Sequence, residues 1–208
     1  RRLVADASHE LRTPVTSLRT NVEVLLLTDD FDEATRHELL SDVVEQTGEL
    51  TAIVSDLIDL ARGDEPAVDT EALDLAELTE DALARARRHS PQLRFDGDIA
   101  PWPMTGSRER LLRALNNVLD NAAKFSPPGG VVSVSLHDGE LRVRDRGPGV
   151  PEAELDHIFN RFFRARNAGN HHGSGLGLAI VKQVVDSHGG SVDAQAAPGG
   201  GLVLTLRF

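Results

Sequence analysis

The first 61 residues carry two rows of apolar side chains at helical spacing, and these rows constrain the fold more than any other feature. The first row recurs every seven residues, at Val4, Leu11, Leu18 and Leu25, with Val15 and Val22 offset by four. The second row keeps a spacing of three and four, at Leu39, Val43, Leu50, Ile53, Leu57 and Leu60. The rows predict one helix from the start of the chain to Leu27, a turn over 28–32, and a second helix over 33–61.

Two such helices form a hairpin with one apolar face on each arm, and the pair alone buries neither face well. Packing two hairpins side by side buries both faces in a four-helix bundle, so we expect a homodimer. The alternative is that the apolar stripes pack against the domain that follows in the same chain.

The segment 6–14 (DASHELRTP) places an imidazole, a carboxylate and a hydroxyl at fixed offsets near the start of the first helix. At about 100° per residue, His9 lies away from the apolar row and faces outward. Glu10 is adjacent and can hold one imidazole nitrogen, which leaves the other as a nucleophile. Thr13 shares the His9 face one turn further on. Pro14 removes a helical hydrogen bond and predicts a bend just after His9.

The composition excludes several classes of partner. The 208 residues carry a net charge of -11 and no basic patch with interleaved aromatic residues, so we expect no nucleic-acid partner. No apolar run approaches the roughly 18 residues of a membrane span, so we expect no membrane contact by this segment. The absence of cysteine excludes disulfides and thiolate metal sites. We interpret His171 and His172, in a loop rich in Gly and Asn, as solvated residues.

A second domain, 75–208, is expected after the hairpin domain (1–62) and an acidic linker at 63–74. The expected helices cover 75–89, about 107–125, about 151–159 and 176–187, and the expected strands cover 93–96, 131–136, 141–144, 191–194 and 202–207. Asp138 and Gly139 predict a hairpin turn between two of the strands. This order is typical of an α+β domain with its helices packed against one sheet.

Polar residues on one edge of the helix over 107–125 are the first candidates for binding a nucleotide. Asn117, Asn121 and Lys124 fall at i, i+4 and i+7, so they share this edge. An asparagine carbonyl is a hard oxygen ligand suited to Mg²⁺, and a lysine ammonium can contact a phosphate. A plain solvent-facing helix edge would show the same pattern.

Two glycine-rich loops supply the other candidates. The loop 145–149 (DRGPG) follows a strand directly, so that its glycines let a flat ligand approach and the Asp145 carboxylate can accept from an exocyclic amine. The loop 173–177 (GSGLG) opens a helix, where free backbone amides favour anions such as phosphates. Each loop alone is a weak signal, because turns of this composition are common.

In chain order, these motifs resemble the sensor histidine kinases of two-component systems. Residues 6–14 resemble the phosphoacceptor box. The catalytic domain of this family has five boxes, named N, G1, F, G2 and G3. In the same order, they are similar to NNVLDNAAKFSP, DRGPGVP, IFNRFFRA, GSGLGLAIVK and PGGG. The resemblance covers nearly the whole chain. It implies a dimeric helical hairpin followed by the α/β sandwich of gyrase-type, heat-shock-chaperone and histidine-kinase ATPases.

The resemblance also implies the roles of individual residues. His9 carries the phosphoryl group, Glu10 assists its proton, and Thr13 belongs to the element that dephosphorylates the partner. For the binding of ATP and Mg²⁺, it implies that Asn121 binds the metal, that Asn117 and Lys124 support the phosphates, and that Asp145 recognises adenine. It implies that Gly147 and Gly149 shape the adenine pocket. Further nucleotide contacts are implied for Arg161 and Arg164, at the phosphates, and for the loop of Gly173, Gly175, Leu176 and Gly177. Phe159, Phe162 and Phe163 are implied at the hinge of a lid over 164–172.

Asn117 also bears on the type of reaction. Hydrolytic relatives carry a glutamate there to activate water, and an amide cannot take that proton, so we expect transfer to His9 rather than hydrolysis. The implied function is autophosphorylation by ATP, transfer to an aspartate of a response-regulator receiver domain, and phosphatase activity toward that regulator. The alternatives are a dimeric scaffold with an idle nucleotide site and a free-standing ATPase.

Two further expectations concern the ends of the motifs. The glycine-rich end of the G3 box is followed by Leu202, where the family usually has a threonine, and this leaves one nucleotide contact open. The chain starts inside a helix without an initiator methionine. We therefore expect a fragment, the cytoplasmic portion of a sensor that the family anchors in a membrane.

Overall fold

The computed structural model describes residues 2–27, 31–62, 70–167 and 173–208, apart from the side chains of residues 2–6, 8–10, 59 and 62. Its first two elements are the predicted helices, α1 (Arg2–Leu27) and α2 (Glu33–Arg62). Pro14 lies inside α1, which continues past it. Residues 28–30 of the turn predicted over 28–32 fall outside the described residues, and residues 31–32 precede α2. None of the described helices is both long and apolar enough to cross a membrane.

A capping aspartate fixes the start of α2. Asp32 Oδ1 accepts a hydrogen bond of 2.7 Å from the Thr35 amide, and this satisfies a donor that the first helical turn leaves free. Hydrogen bonds from the Thr35 amide and the Thr35 side chain lower the pKa of the Asp32 carboxyl from its ordinary value, because they favour its charged form.

The chain divides into two compact units, Arg1–Asp59 and Leu60–Phe208. The second unit contains β1 (Glu71–Asp74), α3 (Leu75–His89), β2 (Arg94–Ile99), β3 (Pro103–Gly106), α4 (Arg108–Phe125), β4 (Val131–His137), β5 (Glu140–Arg144), a 3-10 helix (Glu152–His157), α5 (Gly177–Ser187), β6 (Ser191–Ala196) and β7 (Leu202–Arg207). This is the predicted α+β architecture. The predicted boundaries of the hairpin domain, linker and catalytic domain stay a prediction.

Five strands form one sheet in the order β2-β4-β5-β7-β6. Only β2 and β4 pair in parallel, and the other neighbours are antiparallel. The burial of β4 alternates along the strand, because every second residue faces the helices: Val132, Val134 and Leu136 are buried. The predicted turn between β4 and β5 is present, with Asp138 and Gly139 both at positive φ.

A second sheet of two strands includes the last residues of the predicted linker. Residues 71–74, which we predicted as linker, form β1, and β1 pairs antiparallel with β3, an element that we did not predict. Asp74 stabilises this arrangement because its Oδ1 accepts from two amides, that of Ala76 at 2.9 Å and that of Trp102 at 2.8 Å. One carboxylate therefore caps α3 and holds the segment that leads into β3.

The short helix expected over 151–159 is a 3-10 helix over Glu152–His157, with no buried residue of its own. A segment without an apolar face gains little from packing as an α-helix, so the tighter turn is adequate there. In contrast, α4 buries one continuous face against its neighbours, formed by Leu111, Ala114, Leu115, Val118, Leu119 and Ala122.

Candidate functional site

The helix α4 presents the predicted polar edge beside its buried face. Asn117, Asn121 and Lys124 are all partly exposed, while Val118 and Ala122 between them are buried. The orientation of the three side chains therefore agrees with the one predicted from the amphipathic pattern of the sequence. They lie along one side of α4, as their spacing predicted.

Two of these side chains meet the glycine-rich loop that precedes α5. Asn117 Nδ2 donates a hydrogen bond of 3.3 Å to the Gly177 carbonyl oxygen. Lys124 Nζ lies so close to Gly173 that a Cβ there would come within 2.5 Å of it. The contacts bring the predicted N and G2 motifs together at two points, and they place a lysine ammonium beside the backbone of the loop. Leu176 between them is fully buried and anchors the loop.

Asp145 is a buried carboxylate held by backbone amides. It is 5% exposed, and its Oδ1 accepts from the Gly147 amide at 2.8 Å and the Leu202 amide at 3.2 Å. Burial raises the pKa of the Asp145 carboxyl, and the two amides act in the opposite direction. Because both amides share Oδ1, the carboxylate is held in one orientation.

Two glycines shape the space next to Asp145. At Gly147 a Cβ would lie 2.6 Å from the Phe125 carbonyl oxygen, so only glycine fits against the end of α4. Gly149 has a φ of 71°, and a Cβ there would lie 2.9 Å from the Gly201 carbonyl oxygen. The G1 loop is therefore packed directly on the end of α4 and on the G3 loop.

The phenylalanines of the F motif contact the G2 loop. Phe162 donates its amide to the Gly175 carbonyl oxygen at 3.0 Å. Gly175 has a φ of 67°, and a Cβ on it would lie 2.7 Å from the Phe163 carbonyl oxygen. Phe162 itself has a φ of 61°, which is uncommon for a bulky residue and indicates that the surrounding contacts hold the backbone in place. Phe159 is partly exposed nearby in sequence.

The segment after the F motif is fastened to the G1 loop and the 3-10 helix. Asn167 Nδ2 donates to the Gly149 carbonyl oxygen at 2.9 Å, and the Arg166 amide donates to Glu154 Oε2 at 3.1 Å. Arg161 and Arg164 are exposed, and their predicted role as phosphate contacts stays a prediction. The remainder of the predicted lid, 168–172, which contains His171 and His172, lies outside the described residues.

The sequence singled out the G3 glycines and Leu202, but it did not predict how two of these residues build the site. The Gly201 backbone occupies the space that a Cβ on Gly149 would need, and Leu202 holds Asp145 through its amide rather than through its side chain. The only signal for them was the run of glycines at 199–201, which marks a backbone that approaches another closely. Leu202 is buried, so its side chain belongs to the core.

The predicted acceptor residues belong to α1. The backbone of His9 and Glu10 is helical, as predicted, and their side chains lie outside the described part of the structure. Thr13 is exposed on the same helix, one turn after His9. The chemical roles of these three residues stay predictions.

The fold and the converging motifs define the class of this protein as an ATPase-type sandwich that follows a helical hairpin. Residues 106–208 match the family described as "Histidine kinase-, DNA gyrase B-, and HSP90-like ATPase", and residues 1–66 match the "His Kinase A (phospho-acceptor) domain". The chain belongs to the sensor histidine kinases of two-component systems. The predicted fold class is thereby confirmed.

Individual similar proteins are described as histidine kinases as well. The "Signal transduction histidine-protein kinase/phosphatase MprB" of Mycobacterium avium is 47% identical over 96% of this chain, and the chain spans 40% of that protein. The solved structure of the "Mycobacterial sensor histidine kinase MprB" is 43% identical, with a TM-score of 0.61 over 66% of this chain and 95% of that one. Full-length ShkA in complex with AMPPNP is 26% identical, with a TM-score of 0.62 over 99% of this chain and 44% of that one.

Proposed function

We propose that this chain is an ATP-dependent protein-histidine kinase that phosphorylates its own His9 and passes the phosphoryl group to an aspartate of a response-regulator receiver domain. The observation that carries the proposal is the convergence of the five motifs of the second unit on one site. Asn117 meets Gly177, Lys124 meets Gly173, and Asp145 is held by the G1 and G3 backbones. Family membership and the kinase/phosphatase description of the relatives support the same reaction.

The purine of ATP is proposed to be recognised by Asp145. Its Oδ1 is occupied by two backbone amides, so the second carboxylate oxygen is the natural acceptor for the exocyclic amine of adenine. A carboxylate fixed in this way accepts and cannot donate, which favours an amino group over a carbonyl at that position. The AMPPNP complex of ShkA shows that a protein of similar fold binds an ATP analogue.

Mg²⁺ is proposed to enter with the phosphates of ATP. Among the described residues, no group of three or more His, Asp or Glu side chains is arranged to hold a metal by itself. Asn121 offers one amide oxygen, which fits an ion that keeps several waters and takes its remaining ligands from phosphates. When bound, Mg²⁺ neutralises the charge that builds up on the transferring group.

The chemistry of Asn117 favours transfer over hydrolysis. The Gly177 carbonyl oxygen can only accept, so the Asn117 side chain turns its amide nitrogen toward it. An amide is not a base, and Asn117 therefore cannot remove a proton from water. Lys124 supplies a point charge for the phosphates, and Glu10 is proposed to hold the imidazole of His9 so that one ring nitrogen stays nucleophilic. Rate then comes mainly from positioning the phosphoryl group in line with that nitrogen.

The proposal is tested by labelling with ATP that carries a labelled γ-phosphate, in the presence of Mg²⁺. The wild-type chain is expected to acquire a label that acid removes, and His9→Ala is expected to acquire none. His37→Ala, which removes another histidine of the hairpin, is the matched control and is expected to label normally. Label that survives His9→Ala would reject His9 as the acceptor. Nucleotide binding without any label would favour the scaffold alternative, and sustained phosphate release without a protein intermediate would favour the ATPase.

Phosphatase activity toward the phosphorylated regulator is proposed to use Thr13. Its exposure on the His9 helix suits a hydroxyl that orients the attacking water. Thr13→Ala is expected to slow dephosphorylation of the partner by about tenfold or more while autophosphorylation stays within about twofold. Thr20→Ala is the control, because the Thr20 hydroxyl is already bonded to the Thr16 carbonyl oxygen at 3.0 Å. Equal loss of both activities would indicate structural damage instead.

A homodimer is proposed from the face that α2 leaves exposed. Leu40, Val44, Val54 and Ile58 are between 46% and 72% exposed, and they lie on one stripe with Thr47 and Thr51. The two threonine hydroxyls donate to the Val43 and Thr47 carbonyl oxygens, so the face offers methyl groups rather than unsatisfied polar atoms. A second hairpin with the same stripe covers it, which forms the four-helix bundle.

The cellular setting is proposed as the cytoplasmic portion of a membrane-anchored sensor, with a receiver domain as the partner. Support comes from the relatives, which are described as signal-transduction kinases and of which this chain spans about 40%. Fractionation of the full-length protein, together with pull-down of purified receiver domains, tests both statements.

A further inference from the structure

Hydrogen bonds to α4 hold both ends of α5, one from the middle of α4 and one from the residue just before α4. At the nucleotide end, Asn117 Nδ2 donates to the Gly177 carbonyl oxygen at 3.3 Å. At the far end, the Ser107 amide donates to His188 Nε2 at 3.1 Å. Since the start of one helix meets the end of the other, the two helices run antiparallel. The two bonds are separated by ten residues of α4, or about 15 Å, and by eleven residues of α5, about 16 Å.

The hydrogen bonds of His188 fix its imidazole in one tautomer. Nδ1 lies 2.7 Å from the Val184 carbonyl oxygen, which can only accept, so the ring proton is on Nδ1. The Ser107 amide can only donate, so Nε2 must present its lone pair. The ring closes the last turn of its own helix through one nitrogen and reaches across to α4 through the other.

The junction between β3 and α4 is built around this ring. Ser107 is the N-cap of α4 but makes no side-chain capping bond, and its own amide is taken by His188. A Cβ at Gly106 would lie 2.8 Å from His188 Cδ2, so the ring occupies the space that a side chain would need. Ser107 is 8% exposed, so its amide has little access to water as a substitute acceptor.

We propose that His188 is a positioning residue for the nucleotide site. By accepting from Ser107, it locks the register of α4 against α5, and that register decides whether Asn117 reaches Gly177 and Lys124 reaches Gly173. The inference rests on the proposed function only in naming ATP as the ligand of those residues. The locking of the register is a property of the fold itself.

Two substitutions separate the two bonds of the ring. In His188→Asn, the amide nitrogen takes the place of Nδ1 and keeps the bond to Val184, but the side chain is too short to accept from Ser107. In His188→Gln, the carbonyl oxygen reaches the place of Nε2 and keeps the bond to Ser107. His89→Asn is the matched control, because His89 makes the same bond to the carbonyl four residues before it, Arg85, at 2.9 Å, at the end of α3.

The first measurement is the affinity of the whole chain for the β,γ-imido analogue of ATP with Mg²⁺, by calorimetry. His188→Asn is expected to weaken binding by about fivefold or more, because it leaves the Ser107 amide without its acceptor. His188→Gln and His89→Asn are expected to stay within about twofold of wild type. An affinity that His188→Asn leaves unchanged, or that His188→Gln fails to rescue, would overturn the proposal.

The second measurement follows the helices without nucleotide. In His188→Asn, we expect faster hydrogen exchange of the Ser107 amide and shifted resonances of the Asn117 side-chain amide and the Gly177 amide, with both effects reversed in His188→Gln. Faster exchange at Ser107 with unmoved Asn117 and Gly177 would mean a purely local cap and would also overturn the proposal. If wild type does not bind the analogue at all, the proposed function fails, and this second measurement still decides the role of His188.

Discussion

The two units of this chain bury their apolar side chains to very different extents. In the described part of the structure, every large apolar side chain found exposed lies between Val15 and Ile58, in the hairpin. In the second unit, side chains such as Leu78, Leu115 and Leu141 are at most 2% exposed, between three helices and a five-stranded sheet. The sandwich therefore completes its own core, whereas the hairpin presents a face that still needs a partner.

The difference shows that different contacts determine the structure of the two units. In the sandwich, backbones meet at distances that only glycine permits, as at Gly147 and Gly149, so the site is fixed by the fold itself. In the hairpin, the exposed stripe is simple and repetitive, so its structure depends on a second surface of the same kind. The stability of the sandwich should then be independent of protein concentration, while that of the hairpin should not.

The largest expected effect is on the core of the sandwich. Leu115→Ala removes a side chain that is 2% exposed and is expected to lower the free energy of unfolding of this unit by about 2–5 kcal/mol. Denaturant unfolding followed at two protein concentrations should give the same loss. Leu27→Ala, at a side chain of the hairpin that is 82% exposed, is the control and should change the stability of the sandwich by no more than about 0.5 kcal/mol. A concentration-dependent loss in Leu115→Ala would break the contrast between the units.

The next effect concerns the stripe on α2. Val44→Glu places a charge on a side chain that is 72% exposed in the single chain, so it should leave the monomer intact. The dimer loses two buried valines, at about 1.5 kcal/mol each, so its dissociation constant should rise by about 100-fold or more.

Sedimentation over a range of concentrations measures this dissociation constant. Ala52→Glu introduces the same charge on an exposed position outside the stripe and should leave the dimer unchanged. If both substitutions have equal effects, or neither has any, the stripe is not the dimer interface.

The smallest of the three effects on stability is expected at Asp145. Burial raises the pKa of its carboxyl above the ordinary 3.8, so above about pH 4 the folded state binds more protons than the unfolded state. The free energy of unfolding of the wild type should therefore fall relative to that of Asp145→Asn as pH rises through this window. The variant keeps an oxygen for both amides, yet it should bind ATP about 10- to 100-fold more weakly, because a charged acceptor is lost.

Thermal unfolding of the wild type and Asp145→Asn from pH 3 to pH 8 tests the pH dependence of stability. Calorimetry tests the loss of ATP affinity. Asp138→Asn, at the exposed turn between β4 and β5, is the control for removing one carboxylate. A wild type that gains stability over Asp145→Asn as pH rises would contradict the assigned direction of the pKa.

Most elements could be predicted from the sequence because their signals are local. The helix over 75–89 matches α3 to the residue, since its apolar spacing and its aspartate cap, Asp74, lie next to each other in the chain. The small sheet of β1 and β3 could not be predicted in the same way. It pairs segments about 30 residues apart, and β1 buries a single side chain, Leu73, so neither strand shows the alternation that marks a strand.

The same limit applies to the candidate site. The spacing of Asn117, Asn121 and Lys124 places them on one helix edge, and the structure confirms that placement. The spacing does not reveal that Leu202 holds the Asp145 carboxylate through its amide, because every residue type except proline has this donor and the two residues are 57 apart. The link from Ser107 to His188 is missed for the same reason.

The most direct measurement of the central claim is the position of the phosphoryl group. After labelling with ATP and Mg²⁺, digestion by trypsin at neutral to alkaline pH releases residues 3–12 (LVADASHELR), which contain one histidine, His9. We expect the label in this peptide and its absence after acid treatment. A label confined to peptides from residues 71–208, or one stable to acid, would contradict the account.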